Sequence, residues 1–173
     1  MLNVAPNADG LFDDNALQAL KEIGQLYKNT STYTELPNYA YPTIASNIAK
    51  KAVSNSSWSD DMNIMDFAND DNFGSSWVSN SADKSKPWYE LTFNRSKNFN
   101  TIVITEGKDH PATYAIQYLK DGKWINLAVK PLEQGRVKVF RFDSVIGDKI
   151  KLDINPAKKQ AVITEIGVYN ERR

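Results

Sequence analysis

The stretch Thr113-Tyr-Ala-Ile-Gln-Tyr-Leu-Lys-Asp-Gly-Lys-Trp-Ile-Asn-Leu127 decides the fold class. Tyr114, Ile116 and Tyr118 occupy alternate positions, which places their side chains on one face of an extended strand. Asp121-Gly122 then supplies a residue pair able to take positive φ, as the centre of a type I′ turn requires. Trp124 and Leu127 mark the returning strand, so the stretch reads as an antiparallel hairpin.

Comparable runs lie on either side. From Trp88 to Phe93 the chain alternates, with Tyr89, Leu91 and Phe93 on one face. The run Phe99 to Thr105 contains Ile102-Val103-Ile104, apolar on both faces, as in a central strand. Val137-Lys-Val-Phe-Arg-Phe142 follows, then Ile150, Leu152 and Ile154, and then Val162, Ile166 and Val168 with Ile163, Glu165 and Tyr169 on the opposite face. Strands succeed one another with no helix between them, which excludes the parallel βαβ classes and predicts an all-β, antiparallel β-sandwich.

One helix precedes the strands. After the turn Asn7-Ala8-Asp9-Gly10, Asp13 or Asp14 can cap a run in which Leu17, Leu20, Ile23, Gly24 and Tyr27 recur three or four apart. Ala16, Ala19 and Leu26 widen that apolar face, and the partner it calls for is a larger body or the sandwich itself. Residues 29–46 are polar, carry Pro37 and Pro42 and keep no period, so they read as a linker ahead of a sandwich over residues 47–173.

The bulk composition narrows the function. At 173 residues the chain can bury one good core with an appendage. Its 21 lysines and arginines balance 21 acids, so there is no sign excess to draw it onto nucleic acid or an anionic membrane, and neither partner is expected. The absence of cysteine removes disulfides, thiol nucleophiles and cysteine zinc sites. The start Met-Leu-Asn-Val lacks the basic and apolar regions of a signal peptide, and no run approaches the roughly 18 apolar residues of a membrane span. A lone histidine, His110, and no Gly-x-Ser-x-Gly elbow leave no nucleophile and base to pair, and the acids lie mainly in turns with no facing pair of the kind glycosidases use.

Two families resemble separate parts of the chain. Asn47-Ile-Ala-Lys-Lys, Asp70-Asp-Asn-Phe-Gly-Ser-Ser-Trp77, Trp88-Tyr-Glu-Leu91, Asp121-Gly-Lys-Trp124 and Thr164-Glu-Ile-Gly-Val-Tyr169 stand in the order found in discoidin-like (coagulation-factor C-type) domains. That group includes the family 32 carbohydrate-binding modules, and the resemblance implies a galactose-binding-domain-like jelly roll that binds glycans. Leu2-Asn-Val-Ala-Pro-Asn-Ala-Asp-Gly10 and the helix with Leu20, Glu22, Ile23 and Gly24 are similar to the last strand, loop and helix of the catalytic barrel in glycoside hydrolase family 29 α-L-fucosidases. The second resemblance implies that residues 1–28 close an upstream catalytic domain in the same chain, that the catalytic carboxylates lie before residue 1, and that the protein works in the periplasm or outside a bacterial cell.

The candidate sites follow from both kinds of reading. The first resemblance implies a structural calcium ion on Asp70, Asn72, Ser75 and Glu165; Asn72 stands where the family has aspartate, Ser75 where it has threonine and Asp71 where it has glycine. A loop with carboxylates, an amide, a hydroxyl and free carbonyls offers the oxygen ligands Ca²⁺ takes, whereas Ser81 at the twelfth position rules out an EF-hand. Trp58 lies in the polar loop Ser54 to Asp60, where an indole could stack on a pyranose, while Trp77 and Trp88 read as packing residues. Glu106-Gly-Lys-Asp-His-Pro111 concentrates donors and acceptors between two strands, making His110, Lys108 and Glu106 the expected sugar contacts. The arginine of galactose-binding members has no counterpart among Thr113 to Leu119. The expectation is a noncatalytic accessory module, with a sandwich that buttresses the catalytic domain without binding sugar as the alternative.

Overall fold

A computed structural model describes residues 14–29, 45–132 and 135–171. The expected linker falls almost wholly outside the described residues, as do the segment before the helix and residues 133–134. The chain divides into two compact units, Met1–Tyr41 and Pro42–Arg173.

In the first unit, α1 spans Asp14–Asn29 with the acidic Asp14 in its first turn, where a carboxylate opposes the positive end of the helix dipole. Leu17 and Ile23 stay exposed and Leu20 is half-buried, so these positions of the apolar stripe are largely open.

The second unit is antiparallel throughout. Its strands are β1 (Val53–Ser56), β2 (Trp77–Val78), β3 (Trp88–Glu106), β4 (Ala112–Lys120), β5 (Lys123–Leu127), β6 (Val137–Pro156) and β7 (Val162–Tyr169), ordered β2-β7-β3-β6-β4-β5 with β1 on β3. The predicted hairpin is β4–β5, closed by Asp121 and Gly122 with φ of 50° and 73° and with Lys120 facing Lys123. Glycine suits the second turn position because a Cβ there would strain the left-handed backbone.

The long strands make the sandwich. The first part of β3 pairs with β1 and with the end of β6, Trp88 facing Asp153; its last part pairs with β7 and the start of β6, Ile102 facing Phe140 and Val168. Register shifts between Thr92 and Lys97 and between Phe99 and Thr101 let both strands bend from one layer into the other. The sequence shows each of these strands as two apolar runs, separated at Asn94 to Asn98 and at Asp143 to Asp148. These polar stretches instead pair with each other, Asn98 against Ile146 and Phe99 against Val145. Ser54 to Ser56, which its polar composition places in a loop, forms part of strand β1, too short to show a period.

The core lies between the layers. Trp77, Tyr89, Leu91, Ile102, Ile104, Phe140, Ile150, Leu152, Ile154, Ile163 and Ile166 are all nearly inaccessible. Phe99 fills the bend, edge-on to Tyr118 and Phe142 with centroids 6.3 and 5.9 Å away. Tyr89 and Asn69 are matched inside: the Tyr89 hydroxyl donates to the Met65 carbonyl at 2.8 Å, and Asn69 donates to the carbonyls of Ala49 and Ala52. Asn47 accepts from the amides of Ala49 and Val168, fastening the start of this unit to its last strand.

Candidate functional site

The sheet ends position a cluster of loops. Between β3 and β4 the chain turns through Gly107 to Pro111, with Asp109 at φ 60° and the His110 amide donating to Gly107 O at 3.2 Å. Gly107 N donates to Val162 O at 2.9 Å, an approach so close that a Cβ on Gly107 would overlap the Val162 side chain. From the other side, Arg136 Nε donates to Glu106 O, the Glu106 amide donates to Arg136 O at 2.9 Å, and an Arg136 terminal nitrogen donates to Thr164 Oγ1 at 3.3 Å. This places Lys108, Asp109, His110, Arg136 and Lys138 around an open depression of about 440 Å³.

The expected sugar contacts part company here. Lys108 is exposed and His110 half-buried, and His110 Nδ1 is enclosed without a hydrogen-bond partner among the described residues. Glu106 also borders the depression but is 2% exposed. Its Oε1 accepts from the Ala112 amide at 2.9 Å and from the Tyr114 hydroxyl at 3.0 Å, and its Oε2 lies 3.5 Å from Lys138 Nζ. The Glu106 carboxylate is therefore occupied in holding the loop to the sheet. Burial and this neighbouring charge hold the Tyr114 hydroxyl well above the usual tyrosine range.

Trp58 is 58% exposed, an indole on an open loop as its sequence context suggested. Its carbonyl accepts from the Asn80 amide at 2.7 Å, and Ser79 N donates to Ala161 O at 3.0 Å beside Val162. Trp58 thus stands at the same end of the sandwich as His110 without lining the depression. Trp77 is core, edge-on to Tyr89 at 5.4 Å with Nε1 donating to Ser59 Oγ at 2.9 Å, and Trp88 lies under Lys151 Nζ at 5.7 Å from the ring centroid.

Arg136 and Lys138 had no local signal in the sequence. Lys138 comes from β6 and Arg136 is the residue just before that strand, some thirty positions beyond Glu106, and the pairing of β6 with β3 brings them to the loop.

The acidic loop closes on itself. Asp70 accepts from the Asn72 amide at 2.9 Å and from Ser75 Oγ at 2.8 Å, Asn72 Oδ1 accepts from the Gly74 amide at 3.0 Å, and Asp71 takes a φ of 66°. Glu165 on β7 reaches the loop by accepting from the Asp71 amide at 3.1 Å, while Lys50 pairs with Asp71 at 2.7 Å. Thus Asp70, Asn72, Ser75 and Glu165 share one corner of the molecule. Among the described residues no three His, Cys, Asp or Glu side chains form a ready metal centre. Glu165 is 4% exposed, and its Oε1 is enclosed with no partner. Burial, reinforced by the carboxylates of Asp70 and Asp71 and opposed by the Asp71 amide and Lys50, pushes its carboxyl up to about 7. A buried oxygen left over beside further carboxylates fits a cation with oxygen ligands.

An antiparallel sandwich with its loops gathered at the sheet ends has the architecture of a galactose-binding-domain-like fold. The F5/8 type C domain model matches residues 47–166, and the chain belongs to that family. The family 32 carbohydrate-binding module of NanJ from C. perfringens, solved with galactose, is 20% identical with a TM-score of 0.66 over 73% of this chain and 100% of that one. Chitosan-binding module 2 from the chitosanase/glucanase of Paenibacillus sp. IK-5, solved with chitotriose, is 19% identical with a TM-score of 0.64 over 72% of this chain and 100% of that one. The Ruminococcus gnavus GH29 fucosidase solved with fucose matches 100% of this chain at 22% identity and a TM-score of 0.59, and this chain spans 34% of its length. No curated protein sequence matches. At these identities the likeness establishes the fold, and by that fold the chain resembles noncatalytic binding modules.

Proposed function

We propose that this chain is a noncatalytic carbohydrate-binding accessory module of a bacterial α-L-fucosidase that acts in the periplasm or outside the cell, and that it holds the enzyme near glycans. The observation that carries the reading is the loop-end depression, which gathers Lys108, Asp109, His110 and Arg136 around one open surface. Sugar hydroxyls both donate and accept, and this mixture answers both needs. The modules solved with galactose and chitotriose support a glycan ligand, and the fucosidase that matches the whole chain, helix included, supports the parent enzyme.

Calcium belongs to the same proposal. Asp70, Asn72, Ser75 and Glu165 would hold the ion, which would stiffen the loop against β7 and neutralise a buried carboxylate.

A shallow site buries little of one sugar, so dissociation constants of about 0.1 to 1 mM are expected. A glycan array followed by titration calorimetry tests the proposal. Silence across fucosylated, galactosylated and N-acetylated oligosaccharides would defeat it.

A further inference from the structure

A second depression of about 370 Å³ adjoins the first at Lys138. It lies across Tyr114, Val129, Lys130 and Pro131, with Phe140 beneath, and is the more apolar of the two. The Tyr114 ring stands edge-on to Phe140 at 6.2 Å and is fixed by its hydroxyl bond to Glu106. Tyr114 and Phe140 give this part of the surface an aromatic floor beside the polar end. Each depression reaches the lower range of small-ligand sites, about 300 to 1,000 Å³.

Charge along this groove is uneven in a chain whose formal charge is zero. Lys108, Lys130, Arg136 and Lys138 line it, against Glu106 and Asp109. Lys138 neutralises Glu106 at 3.5 Å, which leaves three cations facing one acid among the described residues. Lys108 and Lys130 have no ion-pair partner among the described residues. Arg136 is exposed and uses two of its five N–H groups internally, which leaves three donors on a planar cation that suits a carboxylate or a sulfate.

We infer that the groove takes an acidic oligosaccharide of at least two residues, with an anionic group held by Lys108 and Arg136 and a neighbouring residue lying over Tyr114 and Pro131 within reach of Lys130. The inference rests on the glycan-binding reading above and adds ligand charge and length to it. The anion could be a uronate or a sulfate ester, since both present planar or tetrahedral oxygens to the same cations.

Calorimetry on the full chain with galacturonate, tetragalacturonate, a chondroitin sulfate tetrasaccharide and neutral galactotetraose tests it. Expected is a gain of about tenfold from galacturonate to tetragalacturonate, binding of at least one acidic tetrasaccharide above galactotetraose, and a fall with added salt. Lys130→Ala should weaken the better acidic tetrasaccharide about tenfold, whereas Lys120→Ala in the distant hairpin turn should not. Unchanged melting temperatures would show both variants folded. Preference for galactotetraose, or equal affinity for one sugar and four, overturns the inference while leaving the glycan-binding reading intact; no binding to any of the four, with a silent array, removes both. Equal binding to duplex DNA would also overturn it, by showing general attraction to polyanions.

Discussion

Two buried glutamates on neighbouring strands, Glu106 at the end of β3 and Glu165 on β7 opposite Thr105, show how surroundings set the role of one residue type. Glu106 has all it needs: an amide, a hydroxyl and an ammonium. Removing it should leave Lys138 uncompensated and two donors unsatisfied, so Glu106→Ala should lose about 3 kcal/mol in urea unfolding. Glu106→Gln keeps the acceptor toward Ala112 and Tyr114 and should lose about half as much. A cost for alanine no greater than that of a surface substitution would show the network idle. Glu165 is the reverse case, with one oxygen satisfied and the other enclosed beside Asp70 and Asp71. Glu165→Gln removes the charge that burial opposes, and in a chelator at neutral pH it should raise stability by about 1 kcal/mol. It should also abolish the rise in melting temperature that calcium gives the unaltered protein. Identical calcium responses in both proteins would take Glu165 out of the proposed ion site. This distinction was hidden in the sequence: both are glutamates in or beside apolar runs, and only tertiary pairing reveals which carboxylate is already matched.

At the scale of elements, the hairpin was legible because its signals are local. Alternation on one face and an Asp-Gly turn lie within fifteen residues, and β4–β5 forms as they dictate. The continuity of β3 and β6 was not legible, because Asn94 to Asn98 is paired only through a partner fifty residues away, across a bulge that no local pattern announces. The candidate site divides the same way. Lys108 and His110 stand out as a polar loop, while Arg136 and Lys138 enter through that long-range register. The junction of β3, its loop and β7 is correspondingly tight at Gly107, where the amide bonds Val162 O and no room remains for a side chain. Gly107→Ala should therefore shift the loop, at a cost of about 1 to 3 kcal/mol, and weaken glycan binding at temperatures where the protein is still folded. Retained affinity with the same loss of stability would mean that the loop geometry does not govern the site.

For the whole molecule, the open question is whether the sandwich serves the substrate or the enzyme. Leu17 and Ile23 of α1 are exposed apolar groups on a helix that resembles the end of a catalytic barrel, so the first unit has a face to bury. The second unit carries its own core and places its depression among its own loops. A binding module acts by raising the local concentration of catalytic domain at a glycan surface and contributes nothing to a freely diffusing small substrate. Deleting residues 47–173 from the proposed parent fucosidase, with α1 retained, should therefore leave turnover of a small soluble fucoside within about twofold and reduce hydrolysis of a densely fucosylated surface about tenfold or more. A matching fall on the small substrate, or a lower melting temperature of the remaining catalytic domain, would instead assign the sandwich to the support of the enzyme. Chemistry separates the outcomes cleanly, because weak multivalent tethering vanishes for a monomeric substrate whereas lost packing slows every substrate alike.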